Sequence, residues 1–536
     1  MAEAAPEDGS AARGELARHA GLTALGTLGS RLLGAVRDAV IAASFAIAST
    51  DAFFVAWTIP NTLRRILGEG AVAAAFIPVF SELDERQGRS EARRYFARFA
   101  GTLLGLLLLV SLAGVLTARL WATLYGGGYR NDPGKFETTV ELTELVFPYI
   151  LFAGFAALLS GTLNALGRFL LPSFSPALLN VALVAAPLLF VPLAREMGLQ
   201  DVSGLALAAL VGGALQVLVQ MPALRRAGML PAPRLAPQDP AVRRSLGLML
   251  PLLFGTGVHQ LNILLSRLLA SFLPSGSQSF LYYGQRLVEI PQGMFAMAVA
   301  TAALPSLSRL RSQQKHDQAL STLRYGMQLT LFIAVPASVA LAALSLPTVT
   351  VVFGRGEFSP AHALQTARSL VWLAAGVWAV ALSHAVTRMY YAYNDTRTPV
   401  WCGAANLLVF VALGLVSAGR FGHVGLAAAT TAGATAQLAL LLLLLRPSVG
   451  PIGARPLLVS AGRCLAASLV MGVVIRDLAT LGAWEAGGND PRNLALYVGI
   501  ALFGLAVYVA ASYLLGSPEL SELGGALRKR LGRKRA

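Results

Sequence analysis

Apolar stretches long enough to cross a lipid bilayer recur along the whole chain. A membrane-spanning helix needs about 20 mainly apolar residues, and runs such as Leu329–Leu346, Gly425–Leu445 and Leu494–Leu515 approach or reach that length. Several runs are interrupted by Gly, Pro or one polar residue, which membrane helices tolerate. The alternating segments of about 10 residues that are typical of a membrane β-barrel do not occur. The pattern predicts an all-α polytopic membrane protein with about 14 transmembrane helices.

Two internal echoes indicate how these helices are grouped. Gly204–Gln216 reads GLALAALVGGALQ and Gly425–Gln437 reads GLAAATTAGATAQ, with six of thirteen positions identical. Asn180, which follows Pro172, has a counterpart in Asn406, which follows Pro399. Transporters built from parallel repeats bind substrate between their halves and rock the halves for alternating access. We therefore predict two six-helix lobes around a central cavity, at 21–228 and 240–446, followed by two C-terminal helices at 456–516.

The charge distribution predicts the orientation of the chain in the membrane. Charged residues make up 13% of the chain, about half the usual share of a soluble domain. The formal net charge is nevertheless +16, and most of the 43 Lys and Arg residues fall in loops on the same side as the N-terminus. The positive-inside rule then places both termini in the cytoplasm. The basic residues are distributed according to the predicted membrane topology and do not form one patch, so we expect no nucleic-acid partner.

The chain ends and the cysteines carry no processing or redox signal. Residues 1–20 are polar and mixed in charge, which indicates a cytoplasmic tail without a cleaved signal. Residues 517–536 form a basic tail, expected against the anionic cytoplasmic leaflet. Cys402 and Cys464 are isolated in apolar stretches, so we expect buried thiols and no disulfide or metal site. The sequence also lacks the D-D-x-x-D, H-E-x-x-H and G-x-S-x-G motifs of candidate enzymes. We expect a transporter without a cofactor.

Charged residues inside the predicted spans point to the chemistry of the cavity. Each costs about 2.5–3.5 kcal/mol on insertion scales and usually faces a cavity or a partner. The first two spans contain an unusual number of them, namely Arg31, Arg37, Asp38, Asp51, Arg64, Arg65 and Glu69. Asp38 beside Arg37 and Glu69 after Arg65 could also be local partners in structural ion pairs. Arg31 has no such neighbour and is expected to face the cavity.

The second half adds Arg267 and Arg286, the latter with Glu289 three residues further on. Asp and Glu are almost absent deep in the remaining spans, so the cavity should be positive and its cargo an anion. Guanidinium groups bind phosphate oxygens with two parallel hydrogen bonds and do not lose their proton. Arg267 has no assigned role, because it could add to the cavity or extend its charged end towards the interface.

An ordered series of motifs gives these charges a specific context. The first region carries S-R-x-L-G-x-x-R-D (Ser30–Asp38), T-D-A-F-F (Thr50–Phe54) and P-N-x-L-R-R-x-x-x-E-G-A (Pro60–Ala71). Further matches lie at Phe147–Asn180, Tyr282–Gly293, Leu304–Ser308 and Thr396–Pro399. Over residues 20 to 515 the chain resembles the MurJ/MviN lipid II flippase family, which is similar to the multidrug/oligosaccharidyl-lipid/polysaccharide exporter superfamily.

The resemblance implies that lipid II, the undecaprenyl-pyrophosphate-linked peptidoglycan precursor, moves from the cytoplasmic to the periplasmic leaflet of the bacterial inner membrane. It implies pyrophosphate binding by Arg31, Arg37, Arg64 and Arg286, with either Arg64 or Arg65 facing the cavity. Gating or pairing roles are expected for Asp38, Asp51, Glu69 and Glu289. The C-terminal helices would form a groove for the polyprenyl tail. Gln285 stands beside Arg286 where an acid would be familiar.

Two other transporter functions remain as alternatives. A flippase for another polyprenyl-linked saccharide would share the pyrophosphate, so charge does not separate it from the first interpretation. A cation-coupled drug exporter would need buried acids for its cargo and its coupling ion, and the charge balance is the opposite. The inside-negative membrane potential, worth about 2.3 kcal/mol per charge per 100 mV, could drive the cycle. The coupling ion is not identified, and a two-lobed chain is expected to act as a monomer.

Overall fold

The computed structural model describes residues 29–66, 72–255, 257–292, 313, 316–449, 454–485 and 490–522. The regular structure in these ranges is helical and contains no strand, which confirms the predicted all-α class. Glu69, the N-terminal tail and most of the C-terminal tail lie outside the described residues.

The described helices include the long apolar elements that a polytopic membrane protein requires. Within these ranges, eight helices are long and apolar enough to cross a membrane. The number rises to nine if Leu170–Val184 and Ala186–Glu196, bent by 51° to each other, form one span. A π-helical segment at Ala186–Phe190, with Pro187 in its first turn, accounts for the bend. The predicted total of about 14 stays a prediction.

The chain divides into two compact units between Gln260 and Leu261. We number the helices of unit 1 as α1 (29–44), α2 (Ile47–Ile66), α3 (Val72–Gln87), α4 (Arg89–Leu116), α5 (Ala118–Gly126), α6 (Pro133–Val146), α7 (Tyr149–Ala165), α8 (Leu170–Val184), α9 (Val191–Glu196), α10 (Ser203–Leu218), α11 (Met221–Arg226) and α12 (Pro240–Gly255). Within this unit α2 packs against α6, α3 against α4 and α7, and α10 against α7 and α8.

Unit 2 contains most of α13 (Gly257–Ser271), then α14 (277–292), α15 (His316–Ala343), α16 (Ser345–Phe353), α17 (Pro360–Ala375), α18 (Val377–Ala392), α19 (Arg397–Val449), α20 (Ala454–Ala479) and α21 (Pro491–Leu514). The backbone of α19 breaks at Gly422, where φ is 57° and ψ is −137°, so the element is two helices joined at a kink. Of the two C-terminal helices, α20 packs against α15 and α21 packs against α20. Tyr508 on α21 donates a 2.7 Å hydrogen bond to the carbonyl oxygen of Phe332 on α15.

The segment between α11 and α12 lies along α4. Arg234 N donates to the carbonyl oxygen of Ala97 at 2.8 Å, and Arg98 Nη1 lies 2.7 Å from Asp239 Oδ2. A Cβ at Gly101 would come within 2.5 Å of the Arg234 backbone, so only glycine allows this close approach. The following helix, α12, packs against α3 and α4. The lobe bounds 21–228 and 240–446 stay a prediction.

The two sequence echoes correspond to similar helix crossings in the two units. In unit 1, a Cβ at Gly212 on α10 would lie 2.9 Å from Leu179 Cα on α8. In unit 2, a Cβ at Gly433 would lie 2.3 Å from Asn406 Oδ1, across the kink of α19. Glycine lets two helices approach this closely, as in other membrane helix pairs. The echo therefore coincides with a contact that recurs within each unit.

Candidate functional site

Arg31 and Arg37 share helix α1 but occupy different environments. Arg31 is exposed, whereas Arg37 is buried. Arg37 Nε and Nη2 donate to Asp38 Oδ1 at 2.9 and 2.7 Å, and the Asp38 side chain is 3% exposed. A spacing of six residues turns the helix by about 600°, so the two arginines point about 120° apart. The structure thus joins Arg37 to its neighbouring acid and leaves Arg31 on a different face.

Asn180 on α8 completes the Arg37 cluster. Arg37 Nη1 donates to Asn180 Oδ1 at 2.9 Å, and Asn180 Nδ2 donates to the carbonyl oxygen of Ser30 at 3.1 Å. A residue at the start of α1 and one in its middle are therefore both bound to the same amide of α8. Asn180 was visible in the sequence as part of an internal echo, but its partner was not predictable from local spacing.

Arg64 and Arg65 lie in the last turn of α2. Both are half-buried, and Arg64 Nε donates to Asn61 Oδ1 at 3.2 Å. The possible partner Glu69 lies outside the described residues. The hydrogen bond to the amide of Asn61 orients the Arg64 guanidinium.

Asp51 pairs with a lysine that the sequence analysis did not select. Lys135 Nζ on α6 lies 2.8 Å from Asp51 Oδ2 on α2, and the two side chains are 9% and 1% exposed. The same ammonium lies 4.4 Å from the ring centre of Tyr129, which is a cation–π distance. Asp132 caps the N-terminus of α6 by accepting a hydrogen bond from Lys135 N at 3.2 Å, which fixes the start of the helix that carries the lysine. The cluster ties α6 to α2, two helices that pack along each other.

Arg286 belongs to a polar cluster on α14. Its Nη1 lies 2.7 Å from Glu289 Oε2, and its Nη2 donates to the hydroxyl of Tyr282 at 3.0 Å. Its guanidinium carbon also lies 4.9 Å from the centre of the Tyr282 ring. Arg286 and Glu289 are therefore in contact, as their spacing of three residues on a helix allows.

Arg267 reaches the same tyrosine from α13. Its guanidinium carbon lies 5.6 Å from the Tyr282 ring centre, and its Nη1 donates to Gln278 Oε1 at 3.0 Å. Gln278, Tyr282 and Arg286 are four residues apart, which places them on one face of α14. This spacing was present in the sequence, and together with the α13–α14 turn it could have revealed the cluster.

The predicted residues thus fall into separate clusters that hold arginines in place with neutral amides, aromatic rings and a few acids. Such guanidinium groups are suited to bind phosphate or carboxylate oxygens. Within the described residues, no group of three or more His, Cys, Asp or Glu side chains could hold a metal ion. Cys402 and Cys464 are free, buried thiols, as the sequence predicted.

Comparisons with known proteins identify the family of proteins that this chain resembles. The family model described as "Lipid II flippase MurJ" matches residues 41–486. A "Probable lipid II flippase MurJ" of Vibrio cholerae is 37% identical over 499 residues, covering 91% of this chain and 94% of that protein. A "Lipid II flippase MurJ" of Burkholderia cenocepacia is 34% identical, covering 78% of this chain and 82% of that protein.

Solved structures agree on the fold. A structure titled "Lipid II flippase MurJ, inward closed conformation" matches with a TM-score of 0.76 at 24% identity, over 92% of this chain and 98% of that one. An inward-facing multidrug resistance MATE transporter of the MOP superfamily matches with a TM-score of 0.64 at 14% identity, over 78% of this chain and 94% of that one. The extent of the family match and the identity to full-length relatives establish that this chain belongs to the lipid II flippase MurJ family.

Proposed function

We propose that this protein is a lipid II flippase, which carries the lipid-linked peptidoglycan precursor from the cytoplasmic to the periplasmic leaflet. The observation that carries this proposal is the 37% identity to a probable lipid II flippase along 94% of that relative's length. The family model matches residues 41–486 and therefore covers the motif around Arg64 as well as the scaffold. The chemistry agrees with the cargo, because lipid II carries a pyrophosphate and the chain places arginines inside apolar helices.

In this proposal the arginines have different tasks. Arg31 is exposed and therefore accessible to a ligand, so we assign it direct contact with the pyrophosphate. Arg37 is buried against Asp38 and Asn180, which suits a residue that shapes the site from behind. Arg64 is oriented by a hydrogen bond to Asn61 at the end of α2, and we assign it contact with the anionic head group. Either Arg64 or Arg65 would contact cargo, since both are half-buried at the end of α2.

The polyprenyl tail needs an apolar surface, and α21 offers one. An open groove along this helix is lined by apolar and aromatic side chains, namely Leu502, Leu505, Ala506, Val509, Ala510, Tyr513 and, beyond the helix, Leu520. We propose that the tail lies along this groove while the charged head group crosses the protein. Leu502 and Leu505 are more than half exposed, as expected for side chains that face lipid.

The chain is a multi-pass protein of the bacterial inner membrane, as its apolar helices and its family require. We propose that both termini lie in the cytoplasm, because the basic loops share their side. We further propose that it works as a monomer without a cofactor and acts as a transporter with no catalytic step. The membrane potential would favour outward movement of an anionic head group.

The test is rescue followed by reconstitution. A bacterium depleted of its own lipid II flippase would express the wild type, Arg31→Ala or the control Arg195→Ala, and labelled lipid II would be measured at the periplasmic face. Arg195 is an exposed residue paired with Asp201, so its loss removes the same charge away from the proposed site. The wild type and the control should rescue. Arg31→Ala should insert normally and fail to transport.

Purified protein in liposomes separates the remaining possibilities. Transport of lipid II by the wild type there, but not in cells, would indicate incompatibility with the host. Failure in both settings, with transport of another polyprenyl-linked saccharide, would refute lipid II as cargo. Efflux of a cationic drug would instead support the exporter alternative.

A further inference from the structure

A small cavity in unit 2 lies where the turn between α16 and α17 meets the connection between α20 and α21. Its volume is about 220 Å³. It is lined by Thr350, Gly354, Arg355, Gly356, Phe358, Ser359, Pro360, Ala363 and Trp484. With both termini in the cytoplasm, these two connections lie on the periplasmic side. Among the described residues, the lining contains none that is assigned to the head group or to the polyprenyl tail.

Trp484 forms one wall of the cavity and is held in place. Its side chain is buried, and its Nε1 donates to the carbonyl oxygen of Ala479 at 2.6 Å. Its own carbonyl oxygen accepts from Thr350 Oγ1 at 3.4 Å, which ties the α20–α21 connection to α16. A Cβ at Gly482 would lie 2.3 Å from the indole ring, so the backbone also passes close to it. A wall fixed in this way exists before a ligand arrives, which lowers the entropic cost of binding.

The facing wall is the turn between α16 and α17. Gly356 in this turn has φ of 57°, a backbone conformation that favours glycine. Phe358 anchors the turn, because its ring centre lies 5.5 Å from that of Tyr283 and 5.8 Å from that of Phe353. Ser359 then caps the start of α17. The turn therefore presents small and apolar groups on a fixed backbone.

Arg355 supplies the charge of the cavity. Its side chain is exposed, and its Nη2 donates to the carbonyl oxygen of Val352 at 2.7 Å. This contact uses one of the five N–H donors of a guanidinium. The other donors suit a carboxylate, whose two oxygens accept parallel hydrogen bonds from an arginine. Helix α17 begins beside the cavity, so the positive end of its dipole adds to the attraction for an anion.

The dimensions of the cavity select a small ligand. A volume of about 220 Å³ is below the roughly 300–1,000 Å³ of sites for drug-sized molecules. A complete sugar–peptide head group therefore does not fit, whereas the last one or two small residues of a peptide do. One cationic side chain on a largely apolar lining matches a single carboxylate attached to small apolar groups.

We propose that this cavity binds the C-terminal carboxylate of a short peptide with small side chains. Arg355 binds the carboxylate, and the terminal side chains lie against Trp484 and Ala363. Two sources present this chemistry outside the membrane, namely the peptide of a peptidoglycan precursor, which ends in D-residues, and an ordinary L-peptide. The inference goes beyond the proposed function, because the site is defined without reference to lipid II transport.

Ligand-observed NMR with the purified full-length protein in lipid nanodiscs tests the site. The probes are N-acetyl-D-Ala-D-Ala, N-acetyl-L-Ala-L-Ala and the C-terminal amide of each. The wild type should bind at least one acid about tenfold more tightly than its amide, because only the acid forms charge-assisted hydrogen bonds with Arg355. The stereoisomer that binds more tightly identifies the source of the peptide.

Substitutions assign the binding to this cavity. Arg355→Gln should raise the Kd of the acid about tenfold, to that of the amide, and leave the Kd of the amide unchanged. Arg420→Gln is the matched control, because Arg420 is an exposed arginine on the same predicted side that does not line the cavity. It should keep the preference for the acid. Ala363→Leu places a larger side chain in the cavity and should weaken the binding of acid and amide alike.

Three results would overturn the site. They are equal binding of acid and amide to the wild type, a preference for the acid that persists in a folded Arg355→Gln, and no binding of any probe at millimolar concentration. The comparison of acid with amide needs no variant, so it decides even where a substitution prevents folding. Arg355→Lys keeps a charge without the paired donors, and its Kd for the acid should fall between those of the wild type and Arg355→Gln.

Transport measurements keep this inference separate from the proposed function. A wild type that flips lipid II but binds none of the four probes would refute the site and leave the function intact. A wild type that does not flip lipid II but binds an acid through Arg355 would retain the site and refute the cargo.

Discussion

Asp51 on α2 and Lys135 on α6 form a buried ion pair, with 2.8 Å between Oδ2 and Nζ. The two residues are far apart in sequence. Lys135 lies in the first turn of α6, directly after a polar loop, where a lysine is ordinarily expected on the surface. The ring of Tyr129, 4.4 Å from the ammonium, adds a cation–π contact. Burial of both charges makes the pair sensitive to the loss of either partner, because one charge would then keep its desolvation cost without the attraction that offsets it.

Lys135→Met should therefore destabilise the protein by about 3–5 kcal/mol, while Lys135→Met combined with Asp51→Leu should recover most of that loss. The physical reason is that an apolar pair carries no desolvation penalty. Thermal unfolding in detergent, followed for the wild type, both single variants and the double variant, gives the coupling between the two positions. Additive losses in the double variant would contradict the pairing.

Arg37 makes a second buried contact, and its geometry leads to a different prediction. Its guanidinium binds Asp38 through two nitrogens and Asn180 through a third. A lysine cannot reproduce this fork. Arg37→Lys should lower stability by about 1.5–3 kcal/mol, the range of a hydrogen bond to a charged group.

Arg195→Lys provides the matched comparison for Arg37→Lys. Arg195 also binds an acid through two nitrogens, but the two side chains are 65% and 51% exposed. An exposed pair of this kind contributes little to stability, because water screens the attraction between its charges. Equal losses of Tm in the two lysine variants would mean that burial of the Arg37 cluster has no energetic consequence.

Gly101 allows the segment before α12 to lie against α4, so its substitution should detach that segment. A Cβ there would lie 2.3 Å from Arg234 C, and a backbone atom cannot move aside as a flexible side chain could. Gly101→Ala should lower Tm and make residues 230–239 more susceptible to limited proteolysis. A Cβ added at Gly499 on α21 would meet nothing within 4 Å outside its own stretch of helix. Gly499→Ala should leave both properties unchanged or raise Tm slightly, because alanine favours helix.

The class of fold was readable from the sequence because the bilayer imposes a length and a polarity on each helix. The Arg37–Asp38 and Arg286–Glu289 contacts were also within reach, since each pair is one or three residues apart. Lys135 was not, because its pairing with Asp51 depends on how α6 packs against α2. Contacts between helices distant in sequence have no signature in local spacing.

The internal echo shows how the same residue type can acquire a different task. In unit 2, Asn406 Nδ2 donates to Gln437 Oε1 at 2.8 Å, and both residues belong to the echoed segments. In unit 1 the corresponding Asn180 binds Arg37 and Ser30 instead. The sequence pattern located both asparagines. It did not distinguish a scaffold contact from one that holds an intramembrane arginine, because that depends on α1, which the echo does not include.

Asp395, in the short connection between α18 and α19, provides a prediction that depends on pH. The N–H group of Thr398 donates to Asp395 Oδ1 at 3.0 Å, and Arg397 N does so at the same distance. The backbone hydrogen bond from Thr398, followed by that residue's side chain, lowers the pKa of the Asp395 carboxyl below its ordinary value. A lowered folded pKa contributes stability above the unfolded pKa of about 3.9, and that contribution is lost as pH falls through the folded pKa.

Asp395→Ala should consequently reduce stability at neutral pH by about 0.5–2 kcal/mol, the usual cost of removing a helix cap. The difference in Tm between Asp395→Ala and the wild type should shrink as pH is lowered from 5 towards 3, since protonation removes the charged acceptor from the wild type. Ser359→Ala is the control, because Ser359 caps α17 with a hydroxyl that does not titrate in this range. Its deficit in Tm should stay constant over the same interval. An Asp395→Ala deficit that also stays constant would show that the carboxylate charge does not stabilise the start of α19.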